Sequence, residues 1–189
     1  MNKNKLFNQF PPKNLLFVSL IIFSVLYGCA SGKVTQTATY EEIAFFNKFA
    51  EQSTWLLGYF DVDRLKREPH SEWFINEYDE YKFDAEAVGK LLDIPTDEIE
   101  IKVVIGTWCP DSRKQVPRFM RIIDLWGFPV SEITFIGVDN VKISPVGEYE
   151  SLNIQRVPTF IFYRNNFETG RIIENPATSL EQDIVNILK

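Results

Sequence analysis

Residues 101–105 form a nearly continuous apolar run, interrupted only by Lys102, that leads through Gly106 into a helical pattern. Such a β-branched run is typical of a strand that is buried on both faces of a sheet. Beyond Gly106, apolar side chains recur at helical spacing over residues 116–126. A buried strand that runs directly into a helix predicts an α/β fold built around a central sheet.

The apolar segments that follow continue this alternation. Runs at residues 133–138, 159–163 and 170–174 predict three more strands, and the pattern after Ser179 predicts a closing helix. The element order is therefore a strand, a helix and a strand, followed by two strands and a helix. We expect residues 98–189 to form one α/β domain.

The preceding segment, residues 39–97, is aromatic and mostly helical in pattern. Helices are predicted over residues 40–52, from Ser71 onward and from a cap at Asp84. We expect this N-terminal extension to pack its Trp and Tyr side chains on the sheet, with a binding groove as the alternative. His70 lies in a polar stretch and is predicted to be a surface residue.

The first residues have the pattern of a secretory signal of the lipoprotein type. Three lysines and no acid precede an apolar stretch of about a dozen residues, shorter than the roughly 20 residues of a spanning helix. Residues 26–29, Leu-Tyr-Gly-Cys, resemble a lipobox, although Tyr27 replaces the usual small residue. We expect residues 1–28 to be a signal peptide, Cys29 to carry lipid and residues 29–38 to be a flexible tether.

A short uncleaved anchor is the alternative interpretation of this N-terminus. Either interpretation places the folded part outside the cytoplasm. We expect a lipid-anchored protein of the bacterial cell envelope that faces the periplasm. The pattern leaves open whether the inner or the outer membrane holds it.

Charge and cysteine content limit the partners and cofactors. The formal net charge is −6, and loss of residues 1–28 removes three positive charges and no negative ones, which leaves −9. Nucleic-acid binding needs a basic patch that this sequence lacks, and an acidic partner is not expected. One histidine and two cysteines do not supply a metal site, so no metal or other cofactor is expected. If Cys29 carries lipid, Cys109 is the only thiol.

Cys109 lies between the buried strand and the next helix, with Pro110 at the first helical position. The N–H groups and dipole of a helix start favour negative charge, and the thiolate is the reactive form of cysteine. Arg113 and Lys114 add positive charge within one turn, whereas Asp111 opposes them. We expect a thiol presented to solvent, with an inert buried cysteine as the alternative.

Two motifs identify a family. Residues 108–112, Trp-Cys-Pro-Asp-Ser, resemble the thioredoxin W-C-x-x-C motif with Ser112 at the second cysteine position. Residues 154–160, Ile-Gln-Arg-Val-Pro-Thr-Phe, resemble the cis-proline segment of that family, and Gly170 matches its strand glycine. The resemblance covers residues 98–189 and implies a thioredoxin-like fold with a central mixed sheet flanked by helices.

The resemblance also implies a set of site residues. Cys109 would be the catalytic thiol, and Ser112 would donate a hydrogen bond to its thiolate. Substrate would bind along the segment that precedes a cis proline, by a form of strand addition. The implied substrate-binding residues are Trp108, Pro110, Val157, Pro158 and Thr159, and the peptide bond before Pro158 would be cis.

Two departures from the family pattern bear on the chemistry. A serine at position 112 cannot resolve a mixed disulfide, since a dithiol enzyme uses its second cysteine for that step. Val103 occupies the position of the buried aspartate that thioredoxins carry before the first cysteine. Both departures argue against dithiol reduction of proteins.

The favoured hypothesis is monothiol thiol–disulfide exchange through Cys109. The substrate would be a protein disulfide or a small-thiol disulfide, and release would need an external thiol reductant. The alternative is a redox-inactive binding module for an envelope peptide or protein. A peroxidase that uses Thr107 and Arg156 is a weaker third hypothesis.

Overall fold

A five-stranded mixed sheet forms the centre of the computed structural model, which describes residues 39–189. Its strands lie in the order β1-β3-β2-β4-β5. The strands are β1 Gly58–Phe60, β2 Ile99–Ile105, β3 Ile133–Gly137, β4 Thr159–Arg164 and β5 Phe167–Ile173. The helices are α1 Tyr40–Ser53, α2 Ser71–Glu80, α3 Ala85–Leu92, α4 Pro110–Trp126 and α5 Leu180–Leu188. The predicted signal peptide, the tether and Cys29 lie outside the described residues.

Strand β2 occupies the middle of the sheet. It runs parallel to β3, with Ile101 opposite Ile133, and antiparallel to β4, with Val103 opposite Phe160. A parallel neighbour requires a crossover, which α4 provides between β2 and β3. Strands β1 and β5 pair antiparallel at the two edges. This arrangement confirms the predicted α/β fold with a central mixed sheet flanked by helices.

The side chains of β2 alternate between two buried clusters. Val103 belongs to the large cluster beneath α4, where Phe119 packs on Phe160 with ring centroids 4.6 Å apart. Val104 belongs to a smaller cluster on the opposite face, which also holds Cys109. Apolar packing on both faces explains why β2 has a nearly continuous apolar sequence. The loop after β2 therefore begins between the two clusters.

The segment before β2 contributes to the sheet as well as to the helical layer. Its predicted helices are present as α1, α2 and α3, and the Asp84 side chain accepts hydrogen bonds from the backbone N–H groups of Glu86 and Ala87. Strand β1 was not predicted, because three residues are too few to show a period-two pattern. Its pairing with β3 brings residues 54–57 next to the loop that leads into α4.

Two expectations for this segment need correction. His70 is 4% exposed and packs edge-on against Trp73, so it is not a surface residue. The aromatic residues of α2 pack largely against α4 rather than directly on the sheet, with Phe74 buried in the large cluster. An ion pair of 2.6 Å between Glu77 and Arg118 joins the same two helices.

Within residues 39–189, no helix combines the length and the apolar character of a membrane span.

Candidate functional site

Cys109 caps the N-terminus of α4 directly after β2. Its backbone is extended, at φ −83° and ψ 125°, and Pro110 follows at the first helical position, where a missing N–H costs nothing. The Cys109 carbonyl accepts the Arg113 N–H at 3.0 Å, which starts the helix. The sequence therefore folds as predicted here, with the thiol at the end of the helix that favours negative charge.

The Cys109 thiol faces Val157, the residue before Pro158. Its Sγ lies 3.3 Å from the Val157 carbonyl oxygen and donates to it. The peptide bond between Val157 and Pro158 is cis, as the resemblance implied. The Val157 N–H makes no hydrogen bond to any residue in the described range 39–189. An unbonded backbone donor thus lies on the same residue that contacts the sulfur.

A pocket of about 350 Å³ opens beside the sulfur. Its lining includes Cys109, Trp108 and Val157, three of the predicted site residues. Cys109 itself is only 7% exposed. The thiol is therefore less open to solvent than expected, because the Val157 carbonyl lies against the sulfur and the residue as a whole is buried beside the pocket.

The other predicted substrate-binding residues lie outside the lining of the pocket. Pro110 is exposed on the first turn of α4, and Pro158 is buried. The Thr159 hydroxyl donates to the Arg156 carbonyl at 2.7 Å, so this side chain closes the loop around the proline. The Pro158 carbonyl accepts the Glu174 N–H at 2.7 Å and is held from the other side.

Trp108 is held in place by its backbone surroundings. Its Nε1–H donates to the Val138 carbonyl at 3.0 Å, and its ring centroid lies 6.2 Å from that of Trp55. The indole also lies against Gly106, where an added Cβ would come within 2.6 Å of the ring. Glycine at position 106 therefore allows the indole to fold back beside the pocket.

Ser112 makes a different contact from the one expected. It is fully buried, and its Oγ accepts the Gly106 N–H at 3.3 Å. Within the described part of the chain, it makes no hydrogen bond to Cys109. The expected bond from Ser112 to the thiolate is therefore absent from this structure, and the serine stabilises the loop between β2 and α4 instead.

Two arginines near the sulfur have partners within the protein. The Arg113 side chain donates to the Thr107 carbonyl at 2.6 Å, and Arg156 pairs with Glu174 at 2.6 Å. Thr107 is buried, and its hydroxyl accepts the Leu56 N–H at 3.2 Å. These partners occupy the Thr107 and Arg156 groups that a peroxidase would need, so the geometry does not favour that hypothesis.

His70 lies behind this loop and was missed by sequence reasoning. Burial lowers the pKa of His70, and the positive charge of Arg113 lowers it further, whereas a hydrogen bond to the backbone of Thr54 opposes the shift. A neutral imidazole therefore packs behind the first turn of α4. A single histidine in a polar stretch carries no periodic signal that would have revealed this burial.

Three residues that line the pocket were also missed, namely Lys142, Gln155 and Glu174. Lys142 and Glu174 lie outside both motifs, in loops that the fold brings together over a long separation in the sequence, whereas Gln155 lies within the segment 154–160 but was assigned no role there. The region from residue 39 to 189 contains no group of three or more His, Cys, Asp or Glu side chains placed to hold a metal ion.

Comparisons with known proteins bear on the family and the fold of the chain. No family model matches the chain. A Dictyostelium discoideum protein described as "Putative thioredoxin-5" is 33% identical over 113 residues, which are 59% of this chain and 99% of that protein. The chain belongs to the thioredoxin-like family.

A solved structure gives a second comparison. The crystal structure of a protein of unknown function from Pseudomonas aeruginosa matches with a TM-score of 0.51 and 14% identity. The match covers 80% of this chain and 96% of that one. At this level of identity the likeness concerns the fold alone.

Proposed function

We propose that this protein carries out monothiol thiol–disulfide exchange through Cys109. The observation that carries the proposal is the position of its Sγ, at the N-terminus of α4 and 3.3 Å from the Val157 carbonyl, beside the pocket. A helix N-terminus stabilises a thiolate, and the pocket gives a disulfide a route to it. The thioredoxin-like family supports the same chemistry.

The reaction would proceed in two exchanges. The Cys109 thiolate attacks one sulfur of a substrate disulfide, forms a mixed disulfide with that half and releases the other half as a thiolate. A second thiol, from solution or from the substrate, then attacks the substrate sulfur of the mixed disulfide. This step restores the Cys109 thiolate and leaves a new disulfide, so no net oxidation or reduction occurs.

Substrate backbone would bind along the Val157 segment. The Val157 N–H has no hydrogen-bond partner among residues 39–189 and belongs to the residue whose carbonyl contacts the sulfur. An extended substrate offers carbonyl groups that accept such a donor, which is the interaction of an added strand. Ser112 is bonded to the Gly106 N–H and carries no thiol, so release depends on the external thiol.

The capture step can be measured directly. The Cys29→Ala chain, in which Cys109 is the only thiol, is mixed with a short cysteine peptide disulfide-linked to 2-nitro-5-thiobenzoate, and release of the coloured thiolate is followed. We expect the folded chain to react faster than the same chain unfolded in urea. We expect Cys109→Ser to abolish the reaction and Ser112→Ala to retain it. A folded chain that reacts more slowly than the unfolded one would overturn the proposal.

A redox-inactive binding module is the second candidate. Two observations favour a binding module. Cys109 is only 7% exposed, and its S–H donates a hydrogen bond to the Val157 carbonyl. In that case the pocket and the Val157 N–H would hold a peptide, and the Cys109 thiol would pack without reacting. Peptide binding that is unchanged in Cys109→Ala, together with slow capture in the folded state, would favour this candidate.

We also propose, from the sequence pattern alone, that the protein is attached through lipid on Cys29 to the bacterial cell envelope and faces the periplasm. Labelling of cells with a radioactive fatty acid tests this proposal. We expect label on the wild-type chain and none on Cys29→Ala. Equal labelling of both chains, or of neither, would contradict it.

A further inference from the structure

We infer that Lys142 selects substrates that carry a carboxylate close to the disulfide sulfur. This inference rests on the proposed function and concerns the substrate class of the same pocket. Lys142 lines the pocket together with Cys109 and Val157. It lies in the loop after β3, outside both motifs that the sequence analysis identified.

Lys142 is the unpaired cation of this pocket. The other cation of the lining, Arg156, forms an ion pair with Glu174, which is the pocket's carboxylate, at 2.6 Å. Within the described residues, the Lys142 ammonium has neither an ion pair nor a hydrogen bond. A substrate carboxylate would therefore meet one positive charge that no protein group neutralises.

The turn that carries Lys142 is well bonded. The Asp139 carboxylate accepts the Val141 N–H at 3.0 Å and the Ile143 N–H at 2.8 Å. The Tyr149 hydroxyl donates to the Lys142 carbonyl at 2.7 Å. Lys142 itself is left-handed, with φ 62°, a conformation that residues with a side chain rarely adopt. The turn therefore holds the lysine backbone at the pocket before a substrate arrives.

The acidic residues close to this turn do not line the pocket. Asp139 is bonded to two backbone N–H groups, and Glu148 pairs with Lys102 at 3.2 Å. Glu150 is exposed and does not line the pocket. The residues that line the pocket, two cations and one carboxylate, therefore carry one net positive charge although the whole chain has a net charge of −6.

Two substrates share the chemistry that Lys142 recognises, namely an acidic polypeptide and a small thiol with a free carboxylate. The test compares 2-pyridyl disulfides, whose leaving group carries no carboxylate, of a peptide with glutamates flanking its cysteine and of the same peptide with glutamines. A second pair compares glutathione with its dimethyl ester. Each rate is divided by the rate that free cysteine shows with the same compound, and all chains carry Cys29→Ala.

We expect the wild-type pocket to react about threefold to fivefold faster with the acidic member of at least one pair. Lys142→Gln should remove that preference, and 1 M salt should weaken it because it shortens the screening length to about 3 Å. Lys114→Gln is the matched control, since Lys114 is exposed on α4 outside the pocket. The pair that loses more of its preference in Lys142→Gln identifies the source of the carboxylate.

Equal rates for the acidic and neutral members of both pairs would overturn the inference while leaving the proposed function intact. A preference that survives Lys142→Gln, or that Lys114→Gln removes equally, would also overturn it. Failure of the proposed function looks different, because Cys109 would then react with none of the four compounds faster than the unfolded chain does.

Discussion

The two sides of the first turn of α4 differ in how far their polar groups are already bonded. The front side, made by Cys109, Val157 and the pocket beside them, keeps a backbone N–H without a partner and a thiol with one weak bond. The back side is made by Ser112, Thr107 and the segment at Leu56, and its hydroxyl groups have partners. The Ser112 hydroxyl accepts the Gly106 N–H, and the Thr107 hydroxyl accepts the Leu56 N–H.

This difference separates chemistry from support. Groups that bind or react must be left without internal partners, whereas groups that hold a loop are satisfied by it. The N-terminal extension contributes to the support through Leu56 and the buried His70. We therefore expect changes on the front side to alter reactivity and changes on the back side to alter stability.

The largest expected effect comes from a variant that places a reactive thiol on the back side. Ser112→Cys places a second thiol one turn after Cys109, where its thiolate can attack the mixed disulfide, form a disulfide bond between positions 109 and 112 and release the substrate thiol. An intramolecular attack should release substrate about a hundredfold faster or more without an external thiol. Intact-mass measurements would show the released peptide and a loss of two hydrogens. Ser112→Ala is the control. Release from Ser112→Cys that is no faster than release from this control would show that a thiol at position 112 cannot attack the mixed disulfide on Cys109.

Gly137→Ala tests how closely the extension is packed on the back side. An added Cβ would collide with the Leu56 carbonyl oxygen, which is backbone and cannot move independently. We expect the free energy of unfolding to fall by about 2–3 kcal/mol. Gly147→Ala is the control, because its Cβ would meet nothing within 4 Å. Urea unfolding of the two variants measures the difference, and equal stability would show that residues 54–57 are not tightly docked.

Thr107→Val removes one bond of the back side without changing the shape of the residue much. The buried Leu56 N–H would lose its acceptor, so the free energy of unfolding should fall by about 1–2 kcal/mol. Thr134→Val on β3 is the control, since the Thr134 hydroxyl makes no hydrogen bond within residues 39–189. Capture of disulfides by Cys109 should change less than stability does. A larger effect on capture than on stability would contradict the assignment of Thr107 to support.

The smallest expected effect is a pH dependence due to His70. Burial holds the pKa of the folded imidazole below its ordinary value of 6.5, so the unfolded chain binds more protons below neutral pH. The stability that the neutral imidazole contributes should be present above this ordinary pKa and should decrease as the pH falls from about 6.5 to 5.5, a range above the ordinary titration of carboxylates. His70→Gln should flatten this dependence in urea unfolding. A slope that persists in the variant would assign the effect to other groups.

Much of the fold could be predicted from sequence because the C-terminal elements carry strong local patterns. The sequence pattern predicted strand β2, helix α4 up to residue 126 and helix α5 after Ser179 close to their observed limits. The cis bond before Pro158 was predicted from the family resemblance, since the dipeptide itself carries no such signal.

The parts that sequence reasoning missed depend on contacts distant in the chain. The short strand β1 exists through its pairing with β3, and His70 is buried because α2 packs against α4. Lys142 reaches the pocket through a turn organised by Asp139, and the partner of Ser112 is a backbone N–H six residues earlier. No residue pattern reveals such pairings, so the sequence identified the sulfur but only part of its surroundings.

The lifetime of the mixed disulfide tests the central claim most directly. The Cys29→Ala chain is loaded with the peptide through Cys109, freed of excess reagent and followed by intact-mass spectrometry with and without added glutathione. We predict one peptide adduct per chain that persists for the whole measurement without thiol and returns to the unmodified mass once glutathione is added. An adduct that resolves without any external thiol, or a folded chain that forms none while the unfolded chain does, would contradict monothiol exchange.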